Sequence, residues 1–229
     1  MATLFEIRGR ARFVDLFEGQ AQHLLIGVLL YAGAVSLLNP GEGAVWGLTS
    51  LEWAVTSILL AIAHQIIVAV VFRLQLLYNG WQRLFGVYDM KIWGAVFLIF
   101  LLARPFTVFM VGMSDAGSLN VSRVLTLSSG AIFLLVSLWA LYSTVRHFTL
   151  KRAFGGDHFR EEIRALPKVN GGVFDYTDNA MYGVAFLGLW GIALLCDSYS
   201  ALVVACFQHA YIWVHMYTTE QPDMRRLYS

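Results

Sequence analysis

The side chains best suited to chemistry gather on the last apolar segment of the sequence, Tyr199–Tyr217, and just beyond its end. If that segment is a continuous helix, one group falls within roughly 60° of its surface. The members of this group are His209, Trp213, Met216 and Glu220. A neighbouring polar stripe consists of Gln208, Tyr211, His215 and Thr219. A helix surrounded by lipid has no reason to carry so many polar groups, so we expect them to face a helical bundle or a pocket. Aromatic rings beside a carboxylate stabilise a sulfonium or ammonium ion, which predicts a cationic ligand.

A second polar group stands at the start of the preceding apolar segment, Ala180–Cys196. Its members are Asp178, Asn179 and Tyr182. Only Asp197-Ser198 separates the two segments, and so short a turn predicts a hairpin of two membrane helices. Because the chain then returns to the same membrane face, we expect Tyr182 to lie close to Glu220.

Composition indicates the class of protein. Hydrophobic residues make up 58% of the chain and charged residues only 14%, with a mean hydropathy of +0.63. A soluble domain of this size could not bury so much apolar surface, so the composition predicts an all-α, polytopic membrane helix bundle. The net charge of +1 says nothing about nucleic acid, but the lack of a basic patch with interleaved aromatic residues predicts no nucleic-acid partner. Cys196 and Cys206 both lie in apolar segments and are interpreted as packing residues.

Six apolar segments, each of roughly 17–27 residues, are predicted to cross the bilayer. They are Ala21–Leu38, Leu51–Leu77, Ile92–Gly112, Val124–Phe148, Ala180–Cys196 and Tyr199–Tyr217. In that topology all of the 16 Lys and Arg residues except Arg104 and Arg123 lie on one side. The positive-inside tendency makes this side the cytoplasm and places both termini there.

The chain is expected to have three parts. Residues 1–20 form a charged, amphipathic cytoplasmic segment, residues 21–148 a four-helix transmembrane region, and residues 149–229 a cytoplasmic loop followed by the hairpin. The loop is too short for a core of its own, and we expect a short helix in it around His158–Leu166. Chemistry is therefore expected at the cytoplasmic membrane boundary, which favours a lipid or another membrane-embedded substrate.

Arg104 lies well inside the third predicted span and precedes a proline that should bend the helix. An intramembrane arginine is costly and needs a partner or a wet cavity. In the functional interpretation, it contacts a lipid phosphate or a cofactor carboxylate. In the structural interpretation, it either pairs with an acidic side chain inside the bundle or extends its charged end to one membrane face. The six histidines show no metal-ligand spacing and no phosphate-binding loop occurs, so we predict no metal.

The hairpin and its flanks resemble the integral-membrane phospholipid N-methyltransferases and, more distantly, the isoprenylcysteine carboxyl methyltransferases. The segment DNAMYG stands where these families carry an R-H-P-x-Y-x-G motif. Tyr182 matches the motif tyrosine, Asn179 replaces the histidine, and Gly183 comes one position early. The segment TEQPDMRRLY stands where the families carry an E-E or E-x-P motif. There Glu220 matches the first carboxylate and Gln221 replaces the second.

A third match lies in the loop. The segment FGGDHF, with Asp157 and His158, is similar to the G-D-Y-F loop of the phosphatidylethanolamine methyltransferases. The glycine-x-glycine motif that precedes this loop in those enzymes is not evident here. The resemblance covers roughly Arg146–Tyr228, so the first four predicted spans lie outside it.

The resemblance implies transfer of a methyl group from S-adenosylmethionine to a membrane lipid amine, with the phosphatidylethanolamine head group as first candidate. It implies that the cofactor contacts Asn179, Tyr182, Gly183, His209, Trp213 and Glu220. Asp157 and His158 become candidate catalytic residues, because one proton must leave the amine. Arg104 and His215 are the candidate substrate-binding residues.

Other interpretations stay open. Asp157 and His158 could cap the loop helix, and His209 and His215 could hydrogen-bond between spans. The substrate could be a carboxylate or thiol of another lipophilic molecule, or the chain could be a non-enzymatic membrane carrier or assembly protein. For so compact a chain a prokaryotic inner membrane is favoured over the endoplasmic reticulum, and the oligomeric state is left open.

Overall fold

The computed structural model describes residues 3–228, which fold almost entirely into helices. The long helices are α2 (Gln20–Leu37), α3 (Ser50–Tyr78), α5 (Asp89–Ser114), α6 (Arg123–Ser143) and α10 (Tyr199–His215). The short ones are α1 (Leu4–Arg10), α4 (Gly80–Phe85), α7 (Leu150–Ala153), α8 (Glu161–Arg164), α9 (Leu187–Leu195) and α11 (Gln221–Tyr228). The prediction of an all-α helical bundle is thereby confirmed.

Four helical stretches between residues 3 and 228 are long and apolar enough to cross a membrane. They are Phe13–Leu37, Ser50–Tyr78, Gly80–Ser114 and Arg123–Phe148. The protein is therefore a membrane protein, as the composition predicts. The apolar stretch Ala180–Leu195 is shorter than a usual span, so the count of six spans, the topology and the three-part division stay predictions.

Helix α10 lies at the centre of the bundle and packs against α2, α3, α5 and α9. Small residues allow the helices of the bundle to pack closely. A β-carbon added at Gly191 of α9 would lie 2.9 Å from the carbonyl oxygen of Gly130 in α6, so only glycine permits this approach. The apolar core between the helices consists largely of alanine, valine and isoleucine side chains from α3, α5 and α10.

Three segments of the described chain widen into π-helix, and each adjoins the end of an apolar segment. They are Thr144–Phe148, Ala180–Val184 and Met216–Glu220. A π-helical turn inserts one residue into the helical repeat and changes which side chains share a face. The continuous α-helix assumed for the last span therefore ends at His215, five residues before Glu220.

Two elements differ from expectation. The loop helix predicted around His158–Leu166 is instead two separate short turns, a 3₁₀ turn at Gly156–His158 and α8. A two-stranded antiparallel ribbon, β1 (Ala44–Val45) and β2 (Leu48–Thr49), was not predicted. Its two turn residues both have positive φ, which suits a tight hairpin turn.

The N-terminal segment packs against the C-terminal one. Leu4 and Ile7 of α1 are buried in a cluster with Leu76, Leu77 and Leu227, while Phe5 is 84% exposed. Helix α1 thus has one side buried against the bundle and one side exposed, and the amphipathic cytoplasmic segment stays a prediction. Residues 1 and 2 of that predicted segment lie outside the described residues.

Candidate active site

Tyr182 and Glu220, which come from the two ends of the C-terminal region, meet directly. The hydroxyl group of Tyr182 donates a hydrogen bond to Glu220 Oε2, although the residues are 38 positions apart. Each stands in a π-helical segment, Ala180–Val184 and Met216–Glu220 respectively. The proximity expected from the short turn at Asp197-Ser198 is therefore present in the fold.

The two stripes of side chains predicted on the last span differ in how far they are buried. Gln208, Tyr211, His215 and Thr219 are all buried, at 0–3% exposure. The other stripe is partly exposed throughout: His209, Trp213, Met216 and Glu220. One stripe therefore faces the bundle, while the other is partly exposed; the partly exposed region around Tyr182, Trp213 and Glu220 is called the cleft below.

Aromatic side chains surround the Tyr182–Glu220 pair. The rings of Tyr182 and Trp213 lie 5.9 Å apart, and Tyr217 stacks on the far side of Trp213. Rings beside a carboxylate provide the electrostatic environment that a sulfonium or ammonium ion prefers. The arrangement fits the cationic ligand predicted from the sequence.

Asn179 and Gly183 shape the backbone around Tyr182. The carbonyl oxygen of Asn179 accepts hydrogen bonds from the amides of Tyr182 and Gly183, at 3.1 and 2.9 Å. A β-carbon added at Gly183 would meet only Trp213, at 3.9 Å. The backbone of Gly183 thus lies beside the Trp213 ring with no other side chain or backbone atom crowding that position.

His209 already has a partner. Its Nδ1 accepts a hydrogen bond of 3.0 Å from Trp190 Nε1, and its ring lies 5.5 Å from that of Phe186. This contact between two neighbouring helices is the interhelical bond considered as an alternative above. His209 remains partly exposed, so one face of its ring borders the cleft.

His215 lies on the buried side of Glu220. Its Nε2 is 3.4 Å from Glu220 Oε1, and the histidine is completely buried. Within residues 3–228 neither of its ring nitrogens has a hydrogen-bond partner. The ring of His23 from α2 lies edge-on at 5.6 Å. A buried histidine with unpartnered nitrogens is unusual. The ring nitrogens of His215 are therefore available to bind a ligand or to accept a proton.

Glu220 lies beyond the end of α10, and its side chain is 18% exposed. Burial raises the pKa of Glu220 to about 7, and the nearby carboxylates of Asp157 and Asp223 act in the same direction. The hydrogen bond from Tyr182 and the charge of His158 oppose the shift. The carboxylate therefore changes its charge near neutral pH.

A buried charge cluster stands behind the cleft. His158 lies between two carboxylates, with Nδ1 3.0 Å from Asp157 Oδ1 and Nε2 3.4 Å from Asp223 Oδ2. The Phe72 ring stacks on it at 4.2 Å. Tyr228 donates a hydrogen bond of 3.1 Å to Asp157. His158 thus connects the loop to helix α11.

The ionic states of this cluster follow from its contacts. Burial acts to lower the pKa of His158, but the hydrogen bonds and charges of Asp157 and Asp223 outweigh it and raise the pKa to about 10. Burial acts to raise the pKa of Asp157, but the bond and charge of His158 outweigh it and lower that pKa. His158 is accordingly a buried cation held by two anions, which is a poor proton acceptor.

Arg73 of α3 completes the cluster and connects it to the N-terminal segment. Its Nε lies 2.9 Å from Asp223 Oδ1. Its other nitrogens donate to the carbonyl oxygens of Asp15, Glu18 and Thr219, at 2.7, 3.1 and 3.3 Å. One guanidinium therefore fixes the segment before α2 next to the turn that carries Glu220.

Arg104 lies away from this cluster, inside the bundle. Its Nε donates to Gln208 Oε1 at 2.9 Å, and its guanidinium lies over the Phe186 ring at 5.1 Å. It is 3% exposed, so it does not extend to a membrane face. Its partner is an amide and not the acidic side chain considered above. Arg104 Nη2 has no hydrogen-bond partner in the described part of the chain.

Three members of the charge cluster were missed by sequence reasoning: Arg73, Asp223 and Tyr228. Asp223 follows Glu220 by three residues, a spacing that would place both on one side of a continuous α-helix. That spacing could have identified Asp223. Arg73 could not be found this way, because its role depends on contacts across the fold. No group of histidine, cysteine or acidic side chains suited to a metal occurs among residues 3–228.

Comparison with known proteins gives a consistent result. Residues 125–229 match the family model of the phospholipid methyltransferases. A phosphatidylethanolamine N-methyltransferase of Lodderomyces elongisporus is 32% identical over 110 residues, which is 47% of this chain and 12% of that protein. Proteins of the same name from Meyerozyma guilliermondii and Saccharomyces cerevisiae are 31% and 30% identical over 100 residues. Those matches cover 44% of this chain and 11% of each yeast protein.

The aligned part is thus about a tenth of the length of these relatives. Residues 125–229, which match the family model, contain all the site residues predicted from the sequence except Arg104. No solved structure matches the chain.

Proposed function

We propose that the protein transfers a methyl group from S-adenosylmethionine to the amine of a membrane phospholipid, phosphatidylethanolamine, because residues 125–229 match the family model of the phospholipid methyltransferases. The observation that carries this proposal is the Tyr182–Glu220 pair, which stands in a partly exposed cleft at the end of apolar helices. Both residues lie in the matched region, and the relatives named above are phosphatidylethanolamine N-methyltransferases.

The cleft suits the methyl donor. S-adenosylmethionine supplies an electrophilic methyl group on a positively charged sulfur. The carboxylate of Glu220 and the faces of Tyr182 and Trp213 would hold this charge. Gly183 adds no side chain beside Trp213, and Asn179 and His209 border the same cleft.

The reaction requires a neutral amine next to the donor. The nitrogen lone pair forms the N–C bond as the C–S bond breaks, the electron pair of that bond stays on sulfur, and one amine proton must leave. Positioning of the two reactants supplies much of the rate acceleration in such a displacement. The residues that hold them in line are therefore as important as the proton acceptor.

We assign proton removal to His215. Its ring nitrogens are buried and without a hydrogen-bond partner in the described chain, and Glu220 Oε1 lies 3.4 Å from Nε2. An imidazolium formed there would be stabilised by the carboxylate, as in other histidine–carboxylate pairs. His158, an earlier candidate together with Asp157, is already held as a cation between two carboxylates. Those two residues would position helix α11 and Glu220.

Arg104 would hold a polar group of the substrate inside the bundle, because its Nη2 has no partner within residues 3–228. Membrane location follows from the apolar helices, and a cytoplasmic position of both termini accords with the distribution of Lys and Arg. The relatives named above are yeast proteins, so they favour a eukaryotic membrane such as the endoplasmic reticulum over the prokaryotic inner membrane expected from chain length. Methylation of another lipophilic substrate and a non-enzymatic role are not favoured by any of these matches.

The direct test is methyl transfer by the purified full-length chain in nanodiscs that contain phosphatidylethanolamine. Tritiated S-adenosylmethionine should label the lipid, and Glu220→Gln should abolish most of the labelling. Glu42→Gln serves as the control, because Glu42 is exposed and lies in the loop before β1, outside the cleft. Absence of lipid labelling by the wild-type protein, with donor binding intact, would refute the proposal.

A further inference from the structure

A groove on the membrane side of the bundle leads to the buried face of this cleft. It has a volume of about 420 Å³ and lies between α2, α3 and α10. Its walls are mainly apolar, with Val28, Leu59 and Ile62 among them, while Gln20 and His23 stand at one end. The groove is thus apolar along its length and polar at its end.

The groove exists because α2 is held against α10 and not against α3. A β-carbon added at Gly27 would lie 3.1 Å from the Tyr211 ring, so glycine brings α2 close to α10. At Gly19, with φ of +79°, an added β-carbon would lie 2.0 Å from the carbonyl oxygen of Thr218. These two close approaches fix α2 at its start and middle and leave space on the side of α3.

Its dimensions suit one leaflet of a bilayer. From Gln20 to Tyr31 the groove follows twelve residues of α2, whose eleven steps span about 16 Å at the rise of an α-helix. The hydrocarbon core of a bilayer is about 30 Å thick, so one leaflet occupies about 15 Å. Val28 and Leu59 on the two walls are 55% and 50% exposed, so the groove opens sideways to the acyl chains of surrounding lipid.

The polar end of the groove lies next to residues of the cleft. Gln20 Nε2 donates to Thr219 Oγ1 at 3.1 Å, one residue before Glu220. His23 is 4% exposed, and its Nε2 has no hydrogen-bond partner in the described part of the chain. Its ring contacts that of His215 at 5.6 Å. A molecule with its tail in the groove would therefore have its head next to His215 and Glu220.

We propose that this groove binds one acyl chain of the phospholipid substrate and admits the lipid from the bilayer, with the head group at Gln20 and His23. The inference rests on the proposed function for the identity of the lipid. It adds a substrate site formed by α2 and α3, which both lie outside residues 125–229. Each methylene group of the acyl chain that is buried in the groove makes binding more favourable.

The test uses phosphatidylethanolamine with a diazirine on one acyl chain, in nanodiscs with the full-length protein. Irradiation should label residues of the groove, such as Leu59 and Ile62, more than Leu25 and Leu29 on the outer side of α2. Val28→Trp should reduce the labelling and the methylation rate by about tenfold or more, the loss expected when two methylene groups no longer reach the groove. Leu29→Trp is the matched control, because Leu29 is 63% exposed on the same helix and lies outside the groove.

Two results would overturn the inference: equal labelling of the groove and of the outer side of α2, or equal effects of Val28→Trp and Leu29→Trp. A groove filled by a helix of a second copy would exclude the probe and give the first of these results. Failure of the proposed function is seen separately, as absence of methyl transfer by the wild-type protein while the groove is labelled. Methyl transfer that continues with no preferential labelling would refute the groove alone.

Discussion

The hydroxyl group of Tyr182 donates a hydrogen bond to the carboxylate of Glu220. This bond connects the π-helical segment at the start of one apolar helix to the π-helical segment at the end of the next. Since each π-helical turn changes the direction in which side chains point, the bond depends on two local irregularities that occur together. The pair forms one side of a cleft whose other residues are aromatic.

The first prediction concerns this hydrogen bond. Tyr182→Phe keeps the ring that faces the donor but removes the bond that orients Glu220. We expect the dissociation constant for S-adenosylmethionine to rise by roughly tenfold, because a hydrogen bond to a charged group contributes about 1.5–3 kcal/mol. Titration calorimetry in detergent measures it. Tyr217→Phe is the control, since Tyr217 is 56% exposed; an unchanged constant for Tyr182→Phe would contradict the role assigned to the bond.

The second prediction follows from the pKa of Glu220, which burial raises to about 7. A cation binds better to the ionised carboxylate, and the ionised fraction increases as pH rises through this pKa. We therefore expect affinity for S-adenosylmethionine to increase by up to about tenfold between pH 6 and pH 8. S-adenosylhomocysteine lacks the positive sulfur, so it should show much less change over the same range.

Glu220→Gln serves as the control for this dependence, because it cannot titrate. In that variant the difference in pH dependence between the two ligands should disappear. Equal dependence of both ligands in the wild-type protein would show that Glu220 does not contact the positive sulfur.

The third prediction separates the two candidate proton acceptors. His215→Gln should reduce kcat by roughly 100-fold or more, the usual contribution of a general base, while the affinity for S-adenosylmethionine stays within a few-fold of the wild type. His158→Gln should instead lower thermal stability, because it leaves Asp157 buried without a cation and removes one of the two cations beside Asp223, which keeps Arg73. Breaking a buried ion pair in this way costs about 3–5 kcal/mol. A normal kcat for His215→Gln would remove it from the mechanism.

The fourth prediction concerns how α2 is held against the cleft. Gly19→Ala should lower stability by at least about 2 kcal/mol, because the residue has φ of +79° and its β-carbon would meet the Thr218 carbonyl oxygen at 2.0 Å. Gly33→Ala, in the same helix, has no atom within 4 Å of the added carbon and should be neutral. Thermal denaturation in detergent compares the two. Similar melting temperatures for both variants would contradict the close approach.

The sequence predicts the helices well and the site in part. Apolar segments locate the helices within a few residues: the predicted Leu51–Leu77 is α3, Ser50–Tyr78. A short turn also suffices to predict that Tyr182 lies near Glu220. These features depend on local composition and on chain connectivity, and both can be derived from sequence.

The remaining features depend on contacts between distant residues. Arg73 reaches Asp223 across 150 positions of the chain, and no local pattern indicates that pair. The π-helical turn at Met216–Glu220 is also invisible to helical periodicity, which assumes 3.6 residues per turn. For the same reason the groove between α2 and α3 could not be predicted, because it results from the close approach of Gly27 to Tyr211.

The most direct test of the central claim is a structure of the full-length protein with S-adenosylhomocysteine bound. We expect its sulfur atom to lie in the cleft, in contact with Tyr182 and Trp213 and facing Glu220. Binding of the ligand elsewhere, for example in the groove between α2 and α3 or at the opposite end of the bundle, would contradict the account.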